Sequence, residues 1–212
     1  MLNRSYYLLY GVVLLGLTSL VVILELIDLP LKNAIIKEGG IVESLSAIGY
    51  FVCIILLVCQ GWKKEERQSY WYTNLLLLIL GLREFDFHCR FTTMGITKTK
   101  FYVSPDVPVM EKIIGAGVTF LFLYLIIYLI KKHFKDMLSA IKQMEPYAIG
   151  ICFGILFMCL SKTLDGLGRN LSSIGVIIGD ELELISISVE EILELGIPLM
   201  FIIAIMTRFR KS

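Results

Sequence analysis

Residues 109–129 read VMEKIIGAGVTFLFLYLIIYL, and the last seventeen of them carry no charge. An α-helix needs about 20 apolar residues to cross the hydrocarbon core of a bilayer. Within lipid, every backbone N–H and C=O group must be paired inside the segment, and a helix meets that requirement. This stretch therefore predicts a transmembrane α-helix.

The composition of the whole chain points to the same solvent. Of its 212 residues, 57% are hydrophobic, and the mean hydropathy is +0.77. These values are too high for a water-soluble domain, so we expect a single integral membrane domain over residues 1–212, with the lipid bilayer as its main partner. The formal net charge is only +1. Because the chain has no overall basic field, nucleic acid is not an expected partner.

Six windows of the sequence approach or meet the length of a membrane span: 6–25, 41–60, 71–88, 109–129, 147–164 and 186–206. The first is too long for the apolar part of a secretory signal, and no small-residue cleavage site follows it, so we interpret it as a retained span. The expected fold is therefore all-α: a polytopic transmembrane helical bundle of about six spans.

Lysine and arginine near the span ends predict the orientation, because cytoplasmic connections carry an excess of both. Eleven basic residues fall on the side that holds both termini, and nine fall on the other side. Three of those nine, Arg83, Lys162 and Arg169, belong to polar helix ends. The bias predicts that both termini are cytoplasmic.

The unusual charges fall at one level, at the outer ends of four spans. They are Glu43 in span two; Arg83, Glu84, Asp86, His88 and Arg90 in span three; Asp165 and Arg169 after span five; and Glu190, Glu191 and Glu194 in span six. Each ionisable group at membrane depth costs about 2.5 to 3.5 kcal/mol on insertion scales. We therefore expect these helices to turn their charges toward one another and to form a polar site facing outward.

The stretch REFDFHCRF, residues 83–91, carries the most varied chemistry. Glu84 and His88 are four residues apart and share a helix face, where they can ligate a divalent metal or act as a carboxylate-oriented general base. Arg83, Asp86 and Arg90 share another face and suit an ion-pair ladder. The alternative for Glu84 and His88 is a second structural pair.

Span six adds two acids on one face. Ser186 or Ser188 is the expected helix cap, which would put Glu190 and Glu191 near the first turn, where the helix dipole favours carboxylates. Glu194 lies one turn deeper than Glu190, in an apolar stretch, and this position favours a role in the site. Asp165 and Arg169 form either part of the site or an ordinary turn, since Gly166 and Gly168 interrupt the helix there.

These residues give two expected sets. The catalytic candidates are Glu84, His88, Glu194, Arg83 and Arg169, with the arginines as anion clamps. The candidate metal ligands are Glu84, His88, Glu190, Glu194 and Asp165. With two histidines in all, any metal would rely on carboxylates, which suits Mg²⁺, Mn²⁺ or Ca²⁺ at least as well as Zn²⁺.

Two other segments have an expected role. Residues 92–107 form a connection long enough to cover the site as a lid. Residues 133–145 form either a basic amphipathic helix on the cytoplasmic surface or a solvated connector.

The stretch EGGIVE, residues 38–43, together with REFDFH, residues 83–88, resembles a pattern in small uncharacterised bacterial multi-pass membrane proteins. The resemblance implies a bacterial inner-membrane protein and transfers no activity.

Three functions remain open on this reasoning. The first is a membrane-embedded hydrolase or transferase acting on a lipid or lipid-linked substrate, since acid, imidazole and guanidinium groups meet at one depth. The second is a cation or proton channel or transporter. The third is a non-catalytic membrane partner or sensor in which the ion pairs are structural.

Overall fold

The computed structural model describes residues 2–37, 39–60, 66–85, 91–96, 98–173 and 175–210. The secondary structure within these residues is helical. The helices are α1 Leu2–Leu26, α2 Leu29–Ile36, α3 Ile41–Cys59, α4 Arg67–Glu84, α5 Thr99–Val103, α6 Val109–Lys142, α7 Pro146–Leu164, α8 Leu167–Ser172 and α9 Asp180–Arg210.

Five helical segments among the described residues are long and apolar enough to cross a membrane: α1, α2 together with α3, α6, α7 and α9. The remaining long helix, α4, has 18 residues and contains more polar side chains. The all-α bundle is confirmed, and its helices are compatible with about six spans.

Three helix boundaries differ from the predicted windows. α4 begins at Arg67 and ends at Glu84, so it lies about one turn earlier than window 71–88. α6 continues to Lys142, so much of segment 133–145 extends a spanning helix rather than forming a separate surface helix. α9 begins at Asp180 rather than near residue 186. A helix can continue through charged and polar residues outside the lipid, and a hydropathy window does not detect that part of the helix.

Serine capping of the last span is wrong. Ser186 and Ser188 lie inside α9, where their hydroxyls donate to the carbonyls of Glu183 at 2.8 Å and Leu184 at 3.0 Å. The acids of the first turn are Asp180, Glu181 and Glu183 instead.

Contacts of tyrosine side chains join the helix ends that lie near the two chain termini. The Tyr7 hydroxyl donates to the carbonyl of Met144, and the Tyr10 hydroxyl donates to that of Pro146 at 2.9 Å. The Arg208 guanidinium lies 4.6 Å from the ring centroid of Tyr147. We call this end of the bundle, marked by Tyr7, Tyr10, Tyr147 and Arg208, the tyrosine end. It carries the start of α1, the start of α7 and the end of α9.

α9 is the central helix, and small residues let its neighbours approach closely. A Cβ added at Gly49 of α3 would lie 2.8 Å from the Cβ of Pro198, and one at Gly154 of α7 would lie 2.4 Å from a ring carbon of Phe201. Ile197 and Met200 of α9 are fully buried. Close backbone packing of this kind is how helices associate where burial from water supplies little driving force.

Candidate functional site

Arg83 joins acids from two helices at the end of the bundle opposite the tyrosine end. Its Nη2 lies 3.0 Å from Oε1 of Glu84, in the last turn of α4, and 2.9 Å from Oε1 of Glu194 on α9. α4 and α9, which correspond to the predicted spans three and six, therefore turn charges toward each other, as expected.

The three side chains differ in burial. The Glu84 side chain is 2% exposed, that of Glu194 is 15% exposed, and that of Arg83 is 32% exposed. Arg83 thus covers Glu84 from the more accessible side. An ionised carboxylate held in a protein interior needs a partner of this kind.

Ser46 of α3 completes the group, although sequence reasoning did not select it. Its hydroxyl donates to the backbone carbonyl of Glu194 at 3.1 Å and lies 3.3 Å from Oε2 of Glu84. Pro198 has no N–H, so the carbonyl of Glu194 lacks its usual helical partner. Ser46 supplies that hydrogen bond. A proline four residues after an intramembrane acid is the signal that could have indicated the need for a donor.

Tyr50 lies one turn after Ser46 on the same helix. Its side chain is 1% exposed and interacts electrostatically with Glu84, Arg83 and Glu194. Gly81 makes room for it, because a Cβ there would lie 3.1 Å from that of Tyr50. Tyr50 is therefore a buried neighbour of the charged group.

Further carboxyl groups surround this centre. Glu191 interacts electrostatically with Glu43, Glu84, Glu190 and Glu194, and it is half-buried. Glu43, in the first turn of α3, accepts a hydrogen bond from the N–H of Gly39. We use the name acidic layer for Glu43, Glu84, Glu190, Glu191 and Glu194 with Arg83. The acids come from three helices.

Asp165 lies at the edge of the acidic layer. It follows α7 and accepts a hydrogen bond from the ammonium group of Lys162, which holds the pKa of this carboxyl below its usual range. Asp165 also interacts electrostatically with Glu190. Its direct ion pair is therefore with Lys162 and not with Arg169.

Arg169 lies on the short helix α8. Its guanidinium folds back over Gly166, which has a φ of +64°. Among the contacts that the described residues make, the ion pairs to Glu84 and Glu194 come from Arg83 and none comes from Arg169. The anion clamp that includes Arg169 remains a prediction.

The metal hypothesis gains no support from the part of the chain that the structure describes. There, no three His, Cys, Asp or Glu side chains stand in an arrangement that could hold a metal ion. His88 lies outside the described residues, as do Asp86 and Arg90. The pairing of Glu84 with His88 therefore stays a prediction.

The described part of the connection between α4 and α6 packs on α6. Thr93 donates its N–H to Glu111 at 2.8 Å, Lys112 donates to the carbonyl of Ser104 at 2.7 Å, and Phe101 is fully buried. A Cβ at Gly115 of α6 would lie 2.8 Å from the Phe101 ring. These contacts hold the segment against the start of α6.

Comparisons with protein-family models, with curated proteins and with solved structures gave no match. Function is therefore argued from the chemistry of the acidic layer.

Proposed function

We propose that the acidic layer is an outward-facing proton-binding site of a channel or ion-coupled transporter. The protein would reside in a bacterial inner membrane with both termini in the cytoplasm. Charge balance supports this proposal. Among the described residues, the acidic layer holds five carboxyl groups and the guanidinium of Arg83, with Lys162 acting on Glu190 from the edge, so full ionisation would leave an excess of negative charge. Protons or a bound cation remove that excess.

The depth of the site makes this charge excess costly. Glu194 comes fourteen residues before Arg208, which is about 21 Å along a helix that rises roughly 1.5 Å per residue. A hydrocarbon core is about 30 Å thick. If Arg208 marks one border of that core, Glu194 lies inside it.

The position of the Ser46 hydroxyl oxygen between two acceptors is the observation that carries the proposal. A serine hydroxyl has one hydrogen, yet Oγ lies at 3.1 Å from one acceptor and at 3.3 Å from another. The two contacts are both full hydrogen bonds when the Glu84 carboxyl carries a proton and donates it to Ser46. When Glu84 is ionised, its carboxylate must instead share the single hydroxyl hydrogen of Ser46 with the backbone carbonyl of Glu194, which already accepts it. This geometry supports the gain or loss of one proton at Glu84.

The test is proton flux in vesicles that contain the purified protein, with a pH gradient and an interior pH dye. Glu84→Gln and Glu194→Gln are expected to lower the flux at least about tenfold, because an amide cannot release a proton at these positions. Glu181→Gln is the matched control, since Glu181 is exposed in the first turn of the same helix as Glu194. Wild-type flux in both site variants would overturn the proposal.

A lipid hydrolase or transferase is the second candidate. Contact between a carboxyl, a hydroxyl and a guanidinium favours it, since this set can move protons and hold an anion. Burial weighs against Ser46 as a nucleophile, because Ser46 is 0% exposed and Glu84 only 3%. A substrate would have to approach from the half-buried Glu190 and Glu194 instead. Retention of an assayed lipid conversion by Glu84→Gln and Glu194→Gln would exclude this candidate.

A further inference from the structure

α4 differs from the other long helices in its interior face. It has 18 residues, yet it is not among the segments apolar enough to count as a span. Two of its polar residues, Ser69 and Asn74, are 5% and 7% exposed. Both lie in the half of the helix away from Glu84.

Each of these residues buries a polar atom that has no partner among the described residues. Ser69 Oγ and Asn74 Oδ1 form no hydrogen bond within the part of the chain that the structure describes. The amide nitrogen of Asn74 donates to the carbonyl of Tyr70 at 3.0 Å, so only its oxygen is unpaired. Buried polar atoms of native proteins are almost always paired, and internal water supplies the partner when the protein does not.

Asn74 shares a helix face with the acidic layer. Asn74, Leu77, Gly81 and Glu84 follow a spacing of three and four residues, and all four are buried. The ten residues from Asn74 to Glu84 correspond to about 15 Å along the helix axis. Tyr70, one turn before Asn74, stacks on Phe209 near the tyrosine end, with ring centroids 5.7 Å apart. Asn74 therefore lies between the acidic layer and the tyrosine end.

We infer that Asn74 Oδ1 and Ser69 Oγ bind internal water, and that the water at Asn74 forms the inner part of the route by which protons leave the acidic layer. The role in conduction rests on the proposed function, whereas the water site does not. Leu77 is 5% exposed and lies between Asn74 and Glu84 on the shared face. Leu77 is therefore the apolar side chain that must move aside for a proton to pass between Asn74 and Glu84.

The first test is Asn74→Leu in the vesicle flux assay. Leucine has the same branched side-chain skeleton but neither an oxygen nor an N–H group, so the water site is lost while the side-chain shape is largely kept. Flux is expected to fall about tenfold, the size of effect that follows from losing one buried hydrogen bond. Asn33→Leu is the matched control, because Asn33 is exposed on α2. Wild-type flux in Asn74→Leu, with active wild type, would overturn the route and leave the proposed function intact.

The second test uses the unmutated protein, so it does not depend on a variant folding. Magnetisation transfer from water to the side-chain amide of Asn74 is measured by solid-state NMR in bilayers, with side-chain signals assigned by selective labelling. Rapid transfer to Asn74 is expected. Transfer no faster than to the amides of lipid-facing residues of α6 would overturn the water site. If water reaches Asn74 but wild-type vesicles show no flux, the proposed function fails and the water site stands.

Discussion

Ser46 is the residue through which α3 holds both the backbone of α9 and the Glu84 side chain. Ser46→Ala is expected to lower the free energy of unfolding by about 1 to 2 kcal/mol, because the Glu194 carbonyl is left buried without a donor. Ser44→Ala is the control, since the Ser44 hydroxyl bonds to Gly40 within its own helix start. Reversible unfolding in mixed micelles measures both.

Pro198 makes this prediction specific. In a Pro198→Ala background the N–H of residue 198 can pair with the Glu194 carbonyl, so Ser46→Ala should then cost clearly less. The difference between the two backgrounds is a double-mutant coupling energy. Equal costs in both backgrounds would show that Ser46 does not compensate for the proline.

Arg83 is the cation on which the buried acids depend. Arg83→Met is expected to lower the free energy of unfolding by about 3 kcal/mol, since Glu194 is then left in the interior without its ion-pair partner. Lys162→Met breaks the exposed pair with Asp165, whose side chains are 61% and 41% exposed, and should cost less than about 1 kcal/mol. Similar losses for the two variants would contradict the buried character of the Arg83 group.

Residue-level reasoning from the sequence found part of this group. Arg83, Glu84 and Glu194 are rare charges within apolar runs, so their depth and inward direction follow from the cost of lipid exposure. Ser46 is a small polar residue that a span tolerates in any direction, and only its contact with Glu194 reveals its role. Arg169 was selected by its spacing from Asp165, but Gly166 turns the chain between them.

At the level of elements, glycines determine how closely α7 and α9 approach. Gly154→Ala should lower the free energy of unfolding by about 1 to 3 kcal/mol, because the added methyl group would overlap the Phe201 ring. Gly117→Ala is the control, since nothing lies within 4 Å of its added Cβ. That exposed change should be neutral or stabilising by up to about 1 kcal/mol. A destabilisation shared by both would mean that the close approach is absent in the bilayer.

Helix type could be predicted from the sequence, whereas helix ends could not. Apolar windows report where lipid is, and the helical hydrogen-bond pattern continues past that limit in α6 and at the start of α9. α4 shows the opposite case. Charged and polar residues at its two ends, together with Asn74, lower its hydropathy, so a membrane-spanning role for α4 stays a prediction.

For the whole molecule, the distribution of lysine and arginine between the two sides predicts the topology. Single cysteines introduced at Lys100 and Gln143 in a cysteine-free chain should respond oppositely to a membrane-impermeant thiol reagent. Residue 100 should react in intact cells, and residue 143 only after permeabilisation, because the positive-inside bias puts both termini and Gln143 in the cytoplasm. The reverse pattern would turn the acidic layer toward the cytoplasm.

A purely structural role for the ion pairs makes a distinct prediction at this scale. Neutralising Glu84 or Glu194 would then change stability without abolishing any one activity. Variants that fold with wild-type stability and lose only proton flux would rule it out.

Glu84 is expected to carry an exchangeable proton in the folded protein, and the whole proposed function depends on it. The most direct measurement is infrared spectroscopy of the wild-type protein in bilayers, which detects the C=O stretch of a protonated carboxyl group. We expect a buried protonated-carboxyl band that shifts on hydrogen–deuterium exchange and loses its Glu84 component in Glu84→Gln, while Glu181→Gln keeps the full intensity. The absence of such a band in wild type across the accessible pH range would contradict proton binding at Glu84, because Glu84 would then remain an ionised partner of Arg83.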